Sequence, residues 1–248
     1  MFLKINMHLF RKLSFIVFII FCTLILIFTI RGLRGTPNQD EINTSVWKEN
    51  GPLELSPERG RFALTYSIIE NNSTNFSVPL ARFTAPDVGY HNNQYVSLFA
   101  PGLSYVIMPG YLIGKSLGAS QVGAFSIISL FAILNVILLR AIAIKLGANQ
   151  IASTIASLLF LFGTPAFAYG VNLYQHHVST FLMLISLYAL LRFKNIIALL
   201  IVFFAFACAI PLDYPNLFFL LPVAIYAGLQ VFSFEEIKER LVFKINTF

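Results

Sequence analysis

From Gln121 to Phe232 the sequence runs apolar with only brief interruptions, chiefly Arg140/Lys145, Arg192/Lys194 and Asp213. A water-soluble fold has no polar surface with which to cover so much of it. Only 11% of the 248 residues are charged and 57% are apolar, against a usual charged share of about a quarter. The chain therefore reads as an integral membrane protein. Lipid-exposed backbone must satisfy its own hydrogen bonds, and a bilayer core of about 30 Å needs about 20 apolar residues of helix. The expected fold is all-α: a polytopic transmembrane helix bundle of about six spans, with a large outer first loop containing short interfacial helices.

The spans are placed at Ser14–Ile30, Gln121–Ile144, Ile151–Val171, His177–Leu191, Ile196–Ile210 and Asn216–Phe232. Lys4, Arg11 and Lys12 precede the first, Arg31 follows it, and no small-x-small cleavage site is present, so it reads as a retained signal anchor. Leu98–Leu117 is also apolar. If it crossed, Arg140/Lys145 and Arg192/Lys194 would face outward, against the positive-inside rule. It is expected instead to lie on the outer interface, broken at Pro101-Gly102 and Pro109-Gly110. The resulting organisation is a cytoplasmic N-terminus (1–13), the anchor (14–30), an outer loop with interfacial helices (31–120), a five-span bundle (121–232) and a cytoplasmic amphipathic helical tail (233–248). The location is the cell membrane, multi-pass, with both termini cytoplasmic.

This arrangement puts seven of the eleven acids, Asp40, Glu41, Glu49, Glu54, Glu58, Glu70 and Asp87, in the loop Arg31–Gln94 on the outer face. Any chemistry is expected there. The charge of +6 is scattered at helix ends with no basic stripe, so no nucleic-acid partner is expected. Cys22 and Cys208 lie in apolar runs without ligand partners, so neither a disulfide nor a metal site is suggested, and no cofactor is expected.

Within the loop, Ser56-Pro57-Glu58 opens a short helix to about Glu70, with Ser56 as N-cap and Pro57 at its first position. A first-turn acid is the ordinary partner of a helix dipole, and Glu58 is equally a candidate general base at the membrane surface. Arg59 and Arg61 beside it form a candidate phosphate clamp. His176 and His177 project about 100° apart on a helix and cannot chelate one metal together, so at most one of them faces a site. Asp213, between Pro211 and Pro215, is an ionisable residue near two helix ends, a site candidate with helix capping as its rival role. The big loop, the connection Gly170–His176 and the turn at 211–215 lie on one side and can converge. Four Asn-x-Ser/Thr sequons, at Asn43, Asn71, Asn72 and Asn75, agree with an outer location.

The signal anchor, the acidic loop with Glu58-Arg59-Gly60-Arg61-Phe62-Ala63, and Tyr95-Val96-Ser97-Leu98-Phe99-Ala100-Pro101-Gly102 with Pro109 downstream together resemble the GT-C glycosyltransferases. The nearest branches are the dolichyl-phosphate-mannose protein mannosyltransferases and the aminoarabinose lipid A transferases. Gly163-Thr164-Pro165 and Tyr174-Gln175-His176-His177 are similar to segments of bacterial and archaeal members. The resemblance runs from roughly Ser14 to Phe232. It implies transfer of a sugar from a polyprenyl-phosphate carrier to an acceptor on the outer face, with inversion at the anomeric carbon. The family's first-loop Asp-Glu pair maps onto Glu58 and Arg59, and Ala100 stands where aminoarabinose transferases carry lysine. Asp40-Glu41 keeps the literal pair.

On this reading the donor phosphate is held by Arg59, Arg61, Arg82 or Lys115, and Glu58 or Asp87 deprotonates the acceptor. Six spans match the front half of such an enzyme, so a C-terminal half or partner subunit is an expected partner beside the polyprenyl-phosphate-linked sugar and the lipid bilayer. The competing expectation is a non-catalytic or truncated GT-C-like membrane protein that binds lipid carriers or scaffolds a partner enzyme.

Overall fold

The computed structural model describes residues 2–237 and 240–245. It is mostly helical. In chain order the helices are α1 (Phe2–Thr29), α2 (Ser56–Asn71), α3 (Val78–Thr84), α4 (Gly102–Ser116), α5 (Ser120–Lys145), α6 (Gln150–Phe162), α7 (Ala166–Gly170), α8 (His176–Arg192), α9 (Ile196–Ala209) and α10 (Asn216–Val231). Two antiparallel hairpins complete it: β1 (Val88–His91) with β2 (Gln94–Ser97), and β3 (Phe232–Ile237) with β4 (Arg240–Ile245).

α5 is the axis. Its 26 residues run about 39 Å, and α1, α4, α6, α7 and α8 all pack against it, while α9 and α10 close on α8. The tightest seam joins α4 to α5. A Cβ on Gly123 would stand 2.0 Å from the carbonyl oxygen of Gly110, and one on Gly110 would stand 2.2 Å from that of Gly123. Gly114 meets the same stretch, with the Ala119 carbonyl 2.5 Å from its would-be Cβ. Only glycine permits this backbone-on-backbone approach, the small-xxx-small geometry favoured between helices that gain little from apolar burial.

α2 and α3, with the Ile42 and Leu53 side chains, stand on the end of the bundle. Ile42, Leu53, Phe62, Phe83, Leu103, Ile107, Tyr111 and Phe125 form one fully buried core that runs from the loop into α4 and α5. Hydroxyls lock the junction. Thr65 Oγ1 donates to the Ser104 carbonyl at 2.8 Å, and Ser104 Oγ returns a bond to the Arg61 carbonyl at 2.9 Å. The α9–α10 contact is built on small side chains, with Ala198, Val202, Ala224 and Ala227 in one buried cluster.

Several expectations change. The α4 helix runs unbroken through Pro109 rather than stopping there, because its packing on α5 outweighs one missing N–H and the following Gly110 makes the closest contact. Ile151–Val171 is not one helix: α6 ends at Phe162 and α7 restarts at Ala166, since Gly163 and Pro165 interrupt it. The N-cap of α2 is Leu55, one residue earlier than Ser56, and Pro57 lies in the first turn. The tail is a hairpin, not an amphipathic helix. Phe232 pairs with Ile245, Phe234 with Phe243 and Glu236 with Leu241, so large apolar residues recur every second position and the period of two prevails over 3.6. Lys238, Glu239 and the last three residues lie outside the described residues.

The seam gives a direct test. Gly123→Ala puts a methyl into the Gly110 carbonyl and should lower thermal stability by about 1–3 kcal/mol or more. Gly228→Ala, where no atom lies within 4 Å, should be neutral or stabilising by up to about 1 kcal/mol. Melting curves of the two purified variants compare them; equal behaviour would contradict the close seam.

Candidate functional site

Glu58 enters the site from the first turn of α2, and it is 1% exposed. Its Oε2 accepts from the Leu55 N–H at 3.3 Å, which closes the helix start. Its Oε1 accepts from the Leu173 N–H at 3.0 Å, across 115 residues of sequence. A buried carboxylate needs such donors. Both oxygens are thereby committed to backbone.

Arg61, one turn on, is 6% exposed. Its guanidinium lies over the Phe99 ring at 5.1 Å and the Tyr174 ring at 5.5 Å. Neither Nε nor Nη1 has a hydrogen-bond partner, and among the described residues Arg61 forms no salt bridge. Burial lowers its pKa, opposed by the charges of Asp213, Tyr174 and Glu58 in that order. Arginine stays protonated regardless. A desolvated cation with idle donors between two aromatic walls is a ready receptor for an oxyanion. Gly60 makes room for one wall, since a Cβ there would lie 2.7 Å from Phe99 Cδ2.

The other groups come from the connections 170–176 and 210–215. Gln175 Nε2 donates to Asp213 Oδ2 at 2.8 Å, and the buried Gln175 Oε1 has no partner. Asp213 Oδ1 is bonded to nothing among the described residues. His176 sits one residue before the apolar run His177–Leu191, with the Tyr169 ring 4.3 Å and the Tyr174 ring 5.7 Å from it. Desolvation and Arg61 lower its pKa while Asp213 raises it, so its imidazole is neutral near pH 7. Burial and the Glu58 charge raise the Tyr174 phenol, with Arg61 opposing them. Two tethers fix the rim. Gly102 N donates to the Pro211 carbonyl at 2.7 Å, and Arg31 bonds Glu54 and Asn172 at once.

The three segments thus meet, but not every candidate joins them. His177 is structural. Its Nε2–H donates to the Ala166 carbonyl at 2.7 Å, so Nδ1 is the acceptor for Asn135 Nδ2 at 3.1 Å. Lys115 does not reach Arg61: its Nζ binds both oxygens of Glu70, at 2.7 and 2.6 Å, beside the Tyr111 hydroxyl. Arg59 lies two residues from Arg61 and so on another face of the helix, where Nη2 reaches the Ala85 carbonyl at 3.4 Å. Lys48 Nζ caps the neighbouring Arg82 carbonyl at 2.6 Å. These two cations neutralise the C-terminal end of α3, and Arg82 itself is exposed there. Of the four alternatives for holding a phosphate, Arg59, Arg61, Arg82 and Lys115, the structure brings Arg61 alone to the meeting point of the three segments. Asp87 accepts from Ser56 Oγ at 2.5 Å, with no bond to Arg61. Asp40 and Glu41 are exposed, and Glu41 Oε2 accepts from Asn38 N at 2.9 Å.

Sequence reasoning passed over Phe99, Tyr174, Gln175 and Arg31 as site residues. Arg31 had a signal, as the first charge after the anchor; the aromatic walls had only their place in the segments that carry the resemblance. No group of three or more His, Cys, Asp or Glu among the described residues is placed to hold a metal. No family model, curated protein or solved structure matches the chain.

Replacing Glu58 by Gln turns one acceptor into an NH2 facing a backbone N–H, and removes a negative charge near Arg61. Stability should fall by about 1–3 kcal/mol, measured by thermal unfolding, whereas Glu49→Gln on the exposed loop should change it little. A Glu58→Gln variant as stable as the parent would show that neither amide depends on this carboxylate.

Proposed function

We propose that the chain is a polytopic membrane glycosyltransferase of GT-C type, or the part of one that binds the donor, taking a sugar from a polyprenyl-phosphate carrier at the outer face. The observation that carries the reading is Arg61, a buried guanidinium whose idle N–H groups suit a phosphate. The reaction it supports is a single displacement. An acceptor hydroxyl oxygen attacks the anomeric carbon opposite the phosphate. The bond from that carbon to the phosphate oxygen breaks, both electrons leaving on the polyprenyl phosphate, where Arg61 stabilises the developing charge. The hydroxyl proton passes to a carboxylate. Asp213 fits that role better than Glu58, because its Oδ1 is unoccupied while Gln175 orients the other oxygen.

Six spans with both termini cytoplasmic remain the proposed topology. Among the described residues one helix, Ser120–Lys145, is long and apolar enough to cross a membrane, with mean hydropathy 2.5, and Phe15–Thr29, Gln150–Phe162, Ile196–Ala209 and Asn216–Val231 are shorter apolar helices. What supports bilayer residence is the inverted exposure of large side chains: Phe204 is 72% exposed, Phe218 74% and Leu229 71%. So many exposed large apolar side chains are unfavourable in water. A second reading, carrier binding without transfer, is favoured by the commitment of both Glu58 oxygens to backbone amides.

Topology is checked by cysteine labelling with an impermeant reagent in oriented vesicles. Leu117→Cys, exposed before α5, should react from outside, and Asn149→Cys, exposed beyond its far end, only from inside. Labelling of both from one side would overturn the crossing of α5.

Donor binding is checked by retention of a polyprenyl-phosphate analogue. Arg61→Lys should weaken it by about tenfold or more, since lysine offers a point charge in place of a planar fork, while Arg34→Lys on the exposed loop should not. Asp213→Asn should retain the analogue and lower sugar transfer about 10²–10⁴-fold. Equal retention by both arginine variants removes the phosphate role. Retention without transfer in the parent favours the second reading.

A further inference from the structure

A cavity of about 440 Å³ opens at the other end of α2, between the helix end, the turn into α3 and strand β2. Its volume falls in the range of small-molecule sites. Asn71 is ten residues beyond Arg61 on the same helix, about 15 Å along its axis, so this is a separate place from the anion site.

Its chemistry is unlike that of the rest of the loop. No charged side chain lines it, although the loop carries most of the acids. Two amide pairs cross its walls. Gln39 Nε2 donates to Asn71 Oδ1 at 2.8 Å, and Asn75 Nδ2 donates to Gln94 Oε1 at 2.6 Å. Each pair uses one donor and one acceptor. Gln39 Oε1 with Asn71 Nδ2, and Asn75 Oδ1 with Gln94 Nε2, are left without partners among the described residues. Ser77 Oγ is buried beside them and also unpartnered. The backbone beneath is fixed, because Phe76 N donates to the Tyr95 carbonyl at 2.8 Å and Ser67 Oγ holds the Asn75 carbonyl at 2.6 Å.

A hydroxyl donates and accepts at once, so each half-used amide pair offers what one hydroxyl needs. Two such pairs lining one cavity match a ligand with several hydroxyls on a small ring. Tyr95, braced by Tyr90 at 5.1 Å between ring centroids, adds an apolar wall for the ring's C–H face. The absence of lining charge disfavours phosphates, acids and amines, which would be desolvated without a counter-ion.

We propose that this cavity is a binding site for a neutral carbohydrate. It does not rest on the glycosyltransferase reading, and its distance from Arg61 separates it from any sugar attached to a phosphate held there.

The test is saturation-transfer NMR on the full chain in phosphatidylcholine nanodiscs, which avoid sugar-headed detergents. The probes are the methyl glycosides of glucose, mannose, galactose and N-acetylglucosamine. At least one should receive saturation at its ring protons, and Asn75→Leu should weaken that binding about tenfold or more. Gln94→Glu, at an exposed strand position where folding is undisturbed, should weaken it similarly. Arg61→Lys should leave it unchanged, so failure of the anion site and failure of this one are distinguishable. The proposal is overturned if no glycoside receives saturation. Transfer that is indifferent to both pocket variants, or that is lost in Arg61→Lys, overturns it as well.

Discussion

The Glu58 carboxylate is the joint on which the rest of the site turns. Two backbone amides from distant parts of the chain, Leu55 N and Leu173 N, converge on it. Taking a carboxylate fully out of water costs several kcal/mol unless donors replace the lost hydration. Here the donors belong to the start of α2 and to the connection before α8, so the loop cannot leave the bundle without stranding the charge. Arg61, Tyr174 and Leu173 take their places from that bond. Glu58 thus ties together two of the segments around the Arg61 guanidinium.

The bundle beneath is organised to let this happen. α5 carries most of the packing, and the glycine seam with α4 brings two backbones together without side chains between them. With α4 held so close, Ser104 reaches α2 and Tyr111 reaches Glu70. Large apolar residues are turned outward on α1, α9 and α10, while small side chains fill the contact between α9 and α10. That arrangement suits the proposed bilayer surroundings, where helices would associate by close packing rather than by escape from water.

Along α2 the polar chemistry is divided. At its start, charge is concentrated and desolvated: Glu58 is satisfied, Arg61 is not, and the charge of Asp213 supports the cation without a bond to it. At its end the one acid, Glu70, is paired with Lys115, and the cavity beside it is lined by neutral amides. The two ends differ in what they offer a neighbour by the same rule, that a buried polar group is stabilised by whatever completes its hydrogen bonds. Lys48 and Arg59 are turned to carbonyls at the end of α3 instead.

The sequence by itself determined the helical content and where most helices lie. Apolar runs, Pro57 near the start of α2, and Asn149 and Asn195 as side-chain N-caps of α6 and α9 are local signals, and local signals suffice for elements held by bonds four residues apart. They also put Glu58, Arg61, His176 and Asp213 on the segments that meet. Tertiary structure decided what each of them does. Nothing within a turn of Glu58 indicates that its second oxygen belongs to Leu173, nothing near Lys115 names Glu70, and only the contact with Asn135 and Ala166 separates His177 from His176. The course of α4 through Pro109 was settled in the same way, by the face of α5 it packs on. Whether a charged side chain is free or engaged depends on partners tens of residues away and on the water they exclude, and neither is written in the periodicity of the chain.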